Sequence, residues 1–542
     1  MLSYAKGPDA PLLETTIAHV LRNTAKRFGS RDALIVRDQN IRLTWSQLAE
    51  EVEHTARGLA GLGLRAQDRV GVWSTNRAEW IFIQLACARI GAVLVNVNPA
   101  YGALDLRFVL RKSQMKALFL SESDKRSNYR SILEGAAQGQ SLSLEHVVYF
   151  GTDSWSRMLN AGAEIPAQTI NATDVANIQY TSGTTGSPKG VLLTHRNLLN
   201  NARIIGSGMK ISEIDRICAP VPLYHCFGCV GGTLISLVSG AALILPSATF
   251  DPVATMQAID DEQATTIYGV PTMFIAELNH PEFHRFNFTS LRTGIMAGAP
   301  CPVEVMKRVI GEMYCGEMTI AYGQTESSPV ITMSNVEDSL ERRVSTVGCV
   351  CPNTEVKIVS PATGETLPQG EQGELCTRGY LVMQGYDQDP EATKRAVDED
   401  GWLHTGDLAT MRPDGYFRVT GRATDMIIRG GENVYPREIE EFLYSHPRIS
   451  DVQVIGIPDA TLGEAVAAWI RLKAPATEDE IREFCRGKIA RYKIPQYIRF
   501  VESFPMTATG KIQKYKMREI EIKERGLESV ANPEPNRGKI KL

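Results

Sequence analysis

The sequence predicts an α/β protein: a large N-terminal domain of parallel-sheet αβ subdomains with a small β-rich unit, followed by a small α+β C-terminal domain. Three observations carry that prediction. The chain has 542 residues, too many for one ordinary core, and a scale of roughly 150 residues per domain points to several units. Helix-like and strand-like segments alternate through the first third, at the spacing of crossover units that build parallel sheets. From about Val344 short strands sit between Gly, Pro and Asp turns, and after Arg422 the chain becomes a compact mixture of both element types.

In chain order, Leu43–Leu62 carries apolar residues at helical spacing, with Thr44 as its N-cap. Arg69–Ser74 reads as a short strand, Trp80–Ile90 as a helix closed by Gly91, and Ala92–Val97 as the next strand. Further strands are expected at Ala176–Tyr180, Thr266–Val270, Leu291–Ala297 and Met318–Ala321. The longest apolar stretch, Cys229–Leu245, is broken by Gly231, Gly232 and Gly240 and ends at Pro246. It falls short of the ~20 residues of a membrane helix, so it reads as a buried helix followed by a buried strand. Glu355–Val359, Gly373–Thr377 and Tyr416–Thr420 are strands of the β-rich unit. A helix at Pro436–Ser445 and strands at Asp451–Ile457 and Ala465–Leu472 form the last unit, dividing the chain into domains 1–423 and 424–542. The polar tail from about Gly526 is expected to be loosely held.

Composition excludes some functions. Apolar residues make up 43% and charged residues 22%, with a formal net charge of −4, so nothing advertises a nucleic acid or an anionic membrane as partner. Met1–Pro11 has one lysine and no apolar run, unlike a signal peptide. Ten cysteines without framework spacing suit the cytoplasm. Cys226 and Cys229 form a C-x-x-C without a second pair at zinc spacing, and read as buried thiols.

The most informative segment is YTSGTTGSPKG, Tyr180–Gly190, after the Ala176–Tyr180 strand. Thr181, Ser182, Thr184 and Thr185 offer hydroxyls, Gly183 and Gly186 let the backbone approach a ligand, and Lys189 supplies a mobile positive charge. Together these are the donors a polyphosphate needs. It is not a Walker A loop, because Ser187 and Pro188 separate the last of these glycines from the lysine.

This segment resembles the phosphate-binding loop of the adenylate-forming superfamily of acyl-CoA synthetases, luciferases and peptide-synthetase adenylation domains. The resemblance runs from about Leu43 to Lys511. It implies that ATP, Mg²⁺ and coenzyme A are the cofactors and co-substrates and that the C-terminal domain is mobile. Ala321–Glu326 reads AYGQTE; by the resemblance, Tyr322 stacks on adenine beside Gly323, Thr325 touches the α-phosphate and Glu326 binds Mg²⁺, which needs few protein carboxylates. In WLHTGD, Trp402–Asp407, a carboxylate after a glycine turn suits ribose hydroxyls, and the resemblance places Asp407 and Arg422 there. Gly298, Ala299 and Pro300 resemble the segment along the adenine. In Pro222–Gly228, PLYHCFG, the resemblance implies that His225 gates or lines the acyl channel. Phe227, Gly228, Tyr268, Val270 and Ala297 are the remaining pocket candidates, with Gly228, Gly232 and Ala297 expected to give depth. The resemblance makes Lys511, in MTATGKIQK, the catalytic lysine of adenylation, and Gly430, Gly431 and Glu432 resemble the turn that serves the thioester step. The hinge departs from the pattern, since Thr424 stands where many relatives have Asp or Lys.

Catalysis then needs no Ser–His–Asp group. The substrate carboxylate is itself the nucleophile, and the protein positions reactants and stabilises charge. The expected acid is a medium-chain fatty acid, with an aryl or terpenoid acid as the alternative. A peptide-synthetase adenylation domain would carry an Asp within Cys226–Gly232, which has none, and the segment after Lys511 is too short for a carrier domain. A non-catalytic nucleotide-binding relative would be expected to lack Lys189, Glu326 or Lys511, and all three are present. No feature sets the oligomeric state, and a homodimer stays open.

Overall fold

The computed structural model describes residues 1–181, 188–299, 301–422, 425–430, 432–506 and 512–531. Among these the strands form four sheets. In the first, His146–Tyr149, Ala117–Leu120, Arg69–Trp73, Val93–Val97 and Val175–Thr181 run parallel, and Lys189–Thr194 and Gly385–Tyr386 add antiparallel at one edge. In the second, Glu317–Gly323, Thr293–Ala297, Thr266–Gly269, Arg216–Cys218, Ala242–Leu245 and Asp32–Val36 are parallel, with antiparallel strands at both edges. The crossover pattern therefore builds two parallel sheets, whose buried strands read as apolar runs because helices cover them.

The third sheet is the antiparallel β-rich unit, Thr354–Val359, Gly373–Gly379, Leu403–Met411 and Phe417–Arg422. Its outer strand is Tyr4–Lys6, paired with Lys357 to Glu355. Nothing in the first eleven residues signals a partner so distant in sequence.

Local signals hold where they are short-range. The helix Trp45–Gly61 starts at Thr44 with a reciprocal capping box: the Gln47 N–H donates to the Thr44 hydroxyl and the Thr44 N–H to the Gln47 side chain. Gly91 closes Ala78–Ile90 at φ +70°, where a side chain would be strained. Cys229–Leu245 is buried as expected, but its first turn, Cys229–Leu234, is a π-helix leading into Ile235–Ser239 and the strand Ala242–Leu245.

The C-terminal sheet contains Glu432–Val434, Ile427–Arg429, Gly463–Leu472 and Ile449–Asp459, and Tyr497–Phe500 pairs with Gly463–Leu472. Its helix Pro436–Tyr444 meets the β-rich unit: the Arg437 guanidinium donates to the Val419 carbonyl, and Arg418 pairs with Glu441 at 2.6 Å. No helix among the described residues is long and apolar enough to cross a membrane. The last described element is a short helix, Glu528–Ala531.

Candidate active site

The strands on either side of the glycine-and-hydroxyl segment pair with each other. Thr181 ends one strand and faces Lys189, the first residue of the next, across an antiparallel register. Ser182, Gly183, Thr184, Thr185 and Gly186 lie outside the described residues, as do Pro300, Thr424, Gly431 and Lys511. The Lys189 ammonium lies 5.0 Å from the centre of the Tyr386 ring, a cation–π arrangement. Tyr386 is held by the strand pairing of Gly385–Tyr386 with Val191 and Leu192 and by the Asp387 N–H, which donates to the Gly190 carbonyl at 2.7 Å. Arg69 grips Asp387 with two bonds, at 2.8 and 3.1 Å, fixing that turn.

Tyr386 reaches the second sheet. Its hydroxyl donates to Glu326 Oε1 at 2.9 Å, and burial, followed by the nearby Glu326 charge, raises its pKa. Glu326 sits in a single helical turn, Thr325–Ser327, beyond the carboxyl end of the Glu317–Gly323 strand, and is only 9% exposed. Gly323 is required there, since an added Cβ would stand 1.9 Å from the Pro329 carbonyl. Carboxyl ends of parallel strands are where α/β sheets bind ligands.

Tyr322 continues the chain of contacts into the β-rich unit. Its hydroxyl donates to Asp407 Oδ2 at 2.7 Å, and Arg422, the register partner of Asp407, approaches Oδ1 at 3.2 Å. Burial pushes the Asp407 carboxyl up, while Arg422 and Tyr322 pull it down. Burial, then Asp407, raises the Tyr322 phenol well above its ordinary range. An ionised carboxylate has about four acceptor sites, so two remain for ligand hydroxyls. Tyr386 thus joins Lys189 to Glu326, and Tyr322, four residues before Glu326, holds Asp407, which pairs with Arg422.

The acyl-pocket candidates border the large core beside this line. Phe227 stacks on the buried Tyr268 ring, with centroids 5.8 Å apart. Val270 follows the strand Thr266–Gly269, and Ala297 ends Thr293–Ala297 opposite Ala321. Gly298 has φ +86°, and Ala299 is exposed. His225 is half-buried and caps the turn Cys226–Gly228, its Nδ1 accepting from the Phe227 N–H at 3.2 Å. In the neutral ring this places the proton on Nε2.

Two residues expected to deepen the pocket serve other ends. A Cβ on Gly228 would lie 2.3 Å from the Pro222 carbonyl, so its smallness admits backbone. Gly232 faces Leu243 and Ala219 of the core. Gly430 occupies the hairpin turn between Ile427–Arg429 and Glu432–Val434, with φ +60° and its N–H bonded to the Leu462 carbonyl at 2.7 Å. Among the described residues no hydrogen bond or ion pair joins Gly430 or Glu432 to Lys189, Glu326 or Asp407. Sequence reasoning missed Tyr386, Arg69 and Asp387, which have no motif of donors around them and act only through tertiary contact.

Comparison with known proteins gives a consistent picture. Residues 21–387 match the AMP-binding enzyme family, and residues 438–511 match the AMP-binding enzyme C-terminal domain. YngI of Bacillus subtilis (strain 168), provisionally named an acyl-CoA synthetase, is 50% identical over 547 residues, which is 96% of this chain and 100% of that protein. The mitochondrial medium-chain acyl-CoA ligase ACSF2 of Rattus norvegicus is 44% identical over 550 residues, covering 96% of this chain and 89% of its own. Among solved structures, ATP-bound MatB from Rhodopseudomonas palustris matches with a TM-score of 0.83 and 27% identity, over 94% of this chain and 99% of that one. The anthranilate CoA ligase AuaEII in complex with anthranoyl-AMP matches with a TM-score of 0.85 and 27% identity, over 94% and 98%.

Proposed function

The chain belongs to the AMP-binding enzyme family and is an acyl-CoA synthetase, and from that premise we propose that its acid is a medium-chain fatty acid activated on the line from Lys189 to Asp407. The supporting observation is the pair of contact sets Lys189–Tyr386–Glu326 and Tyr322–Asp407–Arg422, which bring cationic, carboxylate and aromatic groups to the end of the Glu317–Gly323 strand. Likeness over nearly the whole chain to a medium-chain ligase, and the apolar Phe227, Tyr268 and Val270 wall, favour the acid.

In this reading Lys189 and the hydroxyls of the hairpin hold the phosphates, Thr325 meets the α-phosphate, Tyr322 stacks on adenine along Gly298, and Asp407 with Arg422 takes the ribose. A substrate carboxylate oxygen attacks the α-phosphorus, the bond to the bridging oxygen breaks, and pyrophosphate leaves with its electron pair. Lys511 balances the charge shared by carboxylate and phosphate in that step. The coenzyme A thiolate then attacks the acyl carbon and AMP departs, with the Gly430–Glu432 turn serving this half. Glu326 fits a magnesium ion: it is one nearly buried carboxylate aimed by Tyr386, and that ion takes its other ligands from phosphates and water. Bound magnesium supplies charge neutralisation to the phosphates. His225 lines the acid's entry, and the domain division lies near residues 423 and 424. Ten free cysteines suit a reducing compartment, and the cytoplasm is the proposed location.

A panel of acids from acetate to palmitate, with benzoate and a terpenoid acid, scored by coenzyme A consumption and pyrophosphate release, tests the assignment. Maximal kcat/KM is expected at medium chain lengths. A maximum at the aryl or terpenoid acid would replace the substrate.

A further inference from the structure

The β-rich unit carries a cluster that the adenylation chemistry does not use. Cys376 and His404 are direct cross-strand partners, and Glu374 stands two residues before Cys376, so strand alternation brings all three toward one face. The ladder shifts register between Glu374 and Cys376, and such irregularities re-aim side chains. Glu374 Oε2 lies 2.9 Å from His404 Nδ1, and Cys376 Sγ lies 3.4 Å from the same nitrogen. One atom from each of the three residues fits within a span of 4.8 Å.

We infer that Glu374, Cys376 and His404 form a binding site for a soft divalent cation of the zinc type, at the base of the turn that carries Asp407. A tetrahedral zinc ion with bonds of about 2.0 Å to nitrogen or oxygen and about 2.3 Å to sulfur holds neighbouring donors roughly 3.3–3.6 Å apart. The sulfur–nitrogen pair already has that spacing, and the oxygen–nitrogen pair needs to open by a few tenths of an ångström. Thiolate with imidazole selects zinc over the hard magnesium ion suited to Glu326.

The surroundings support the same occupant. His404 Nε2 faces Asp398 Oδ2 at 3.7 Å, the carboxylate support that metal-bound histidines commonly have. Glu374 Oε1 accepts from the Gly406 N–H at 3.0 Å, so a cation on Oε2 leaves that bond intact. Cys376 is fully buried, while the Glu374 and His404 side chains are 19% and 32% exposed, which admits water as a fourth ligand. Zinc binds the thiolate and the neutral imidazole, so affinity rises with pH.

The experiment uses the full-length chain, stripped with chelator and titrated with Co²⁺ while absorbance is recorded. About one Co²⁺ per chain is expected, with the visible bands of tetrahedral coordination and a thiolate-to-metal band in the near ultraviolet. Zn²⁺ should displace it. Cys376→Ser and His404→Gln should each abolish the thiolate band, and Asp398→Asn, at the surface, should weaken binding by roughly 10–100-fold. Unchanged circular dichroism establishes that the variants fold; should Cys376→Ser fail to fold, Asp398→Asn decides alone. A titration without a thiolate band, a band that survives Cys376→Ser, or unchanged affinity in Asp398→Asn overturns the site and leaves a hydrogen-bonded triad.

Discussion

At the residue scale, Tyr386 couples Lys189, the proposed phosphate lysine, to Glu326, the proposed magnesium carboxylate, since one ring serves both. Tyr386→Phe keeps the ring and loses the bond to Glu326. A hydrogen bond to a charged group contributes about 1.5–3 kcal/mol, so the Mg²⁺ concentration for half-maximal pyrophosphate release should rise roughly tenfold. An unchanged magnesium dependence would detach Tyr386 from the site. Glu277 is a different case. It is 1% exposed, neither carboxylate oxygen has a hydrogen-bond partner among the described residues, and burial pushes its pKa from 4.5 to about 8. The unfolded chain ionises near the lower value and the folded one near the higher, so the folded state binds the extra proton and loses stability as pH rises between them. Urea midpoints should therefore fall from pH 5 to pH 8 in the wild type and fall less in Glu277→Gln. Parallel curves would show that Glu277 is not protonated in the fold.

At the element scale, the segment Cys226–Ser239 shows how backbone crowding shapes a pocket wall. His225 caps its first turn, the next turn is a π-helix, and Gly228 lies against the Pro222 backbone. π-turns inside helices often mark functional sites, and this one follows Phe227, which faces Tyr268. Gly228→Ala should cost roughly 3 kcal/mol, because the clash is with backbone that cannot rotate away. Gly232→Ala meets only side chains, Leu243 at 3.5 Å and Ala219 at 3.7 Å, and should cost much less. Thermal unfolding of the two variants checks the contrast; equal shifts would mean that the Pro222 turn moves aside.

At the scale of the whole molecule, the N-terminal sheets carry the groups proposed to hold the nucleotide, and the C-terminal sheet's helix meets the β-rich unit through Arg437 on Val419 and Arg418 on Glu441. Surface ion pairs contribute little, typically below about 1 kcal/mol, so this contact suits a domain that changes orientation. On the proposed mechanism Lys511 acts in one half-reaction. Lys511→Ala should slow acyl-adenylate formation by roughly 10²-fold or more and still convert supplied acyl-adenylate to thioester. A full-reaction rate near wild type would remove Lys511 from the mechanism.

The sequence by itself determined the features that depend on neighbours along the chain. The capped helix after Thr44, the αL stop at Gly91, the alternation that builds parallel sheets and the strand leading into the donor-rich segment before Lys189 are all set by local sterics, hydrogen bonding and periodicity. Tertiary structure decided what depends on distant contact. It laid Tyr4–Lys6 along Thr354–Val359, placed Tyr386 between Lys189 and Glu326, joined Tyr322 to Asp407, and used the smallness of Gly228 for the Pro222 backbone. The physical reason is that hydrogen bonds and packing act over a few ångströms of space, and residues hundreds of positions apart share that space only once the sheets have formed.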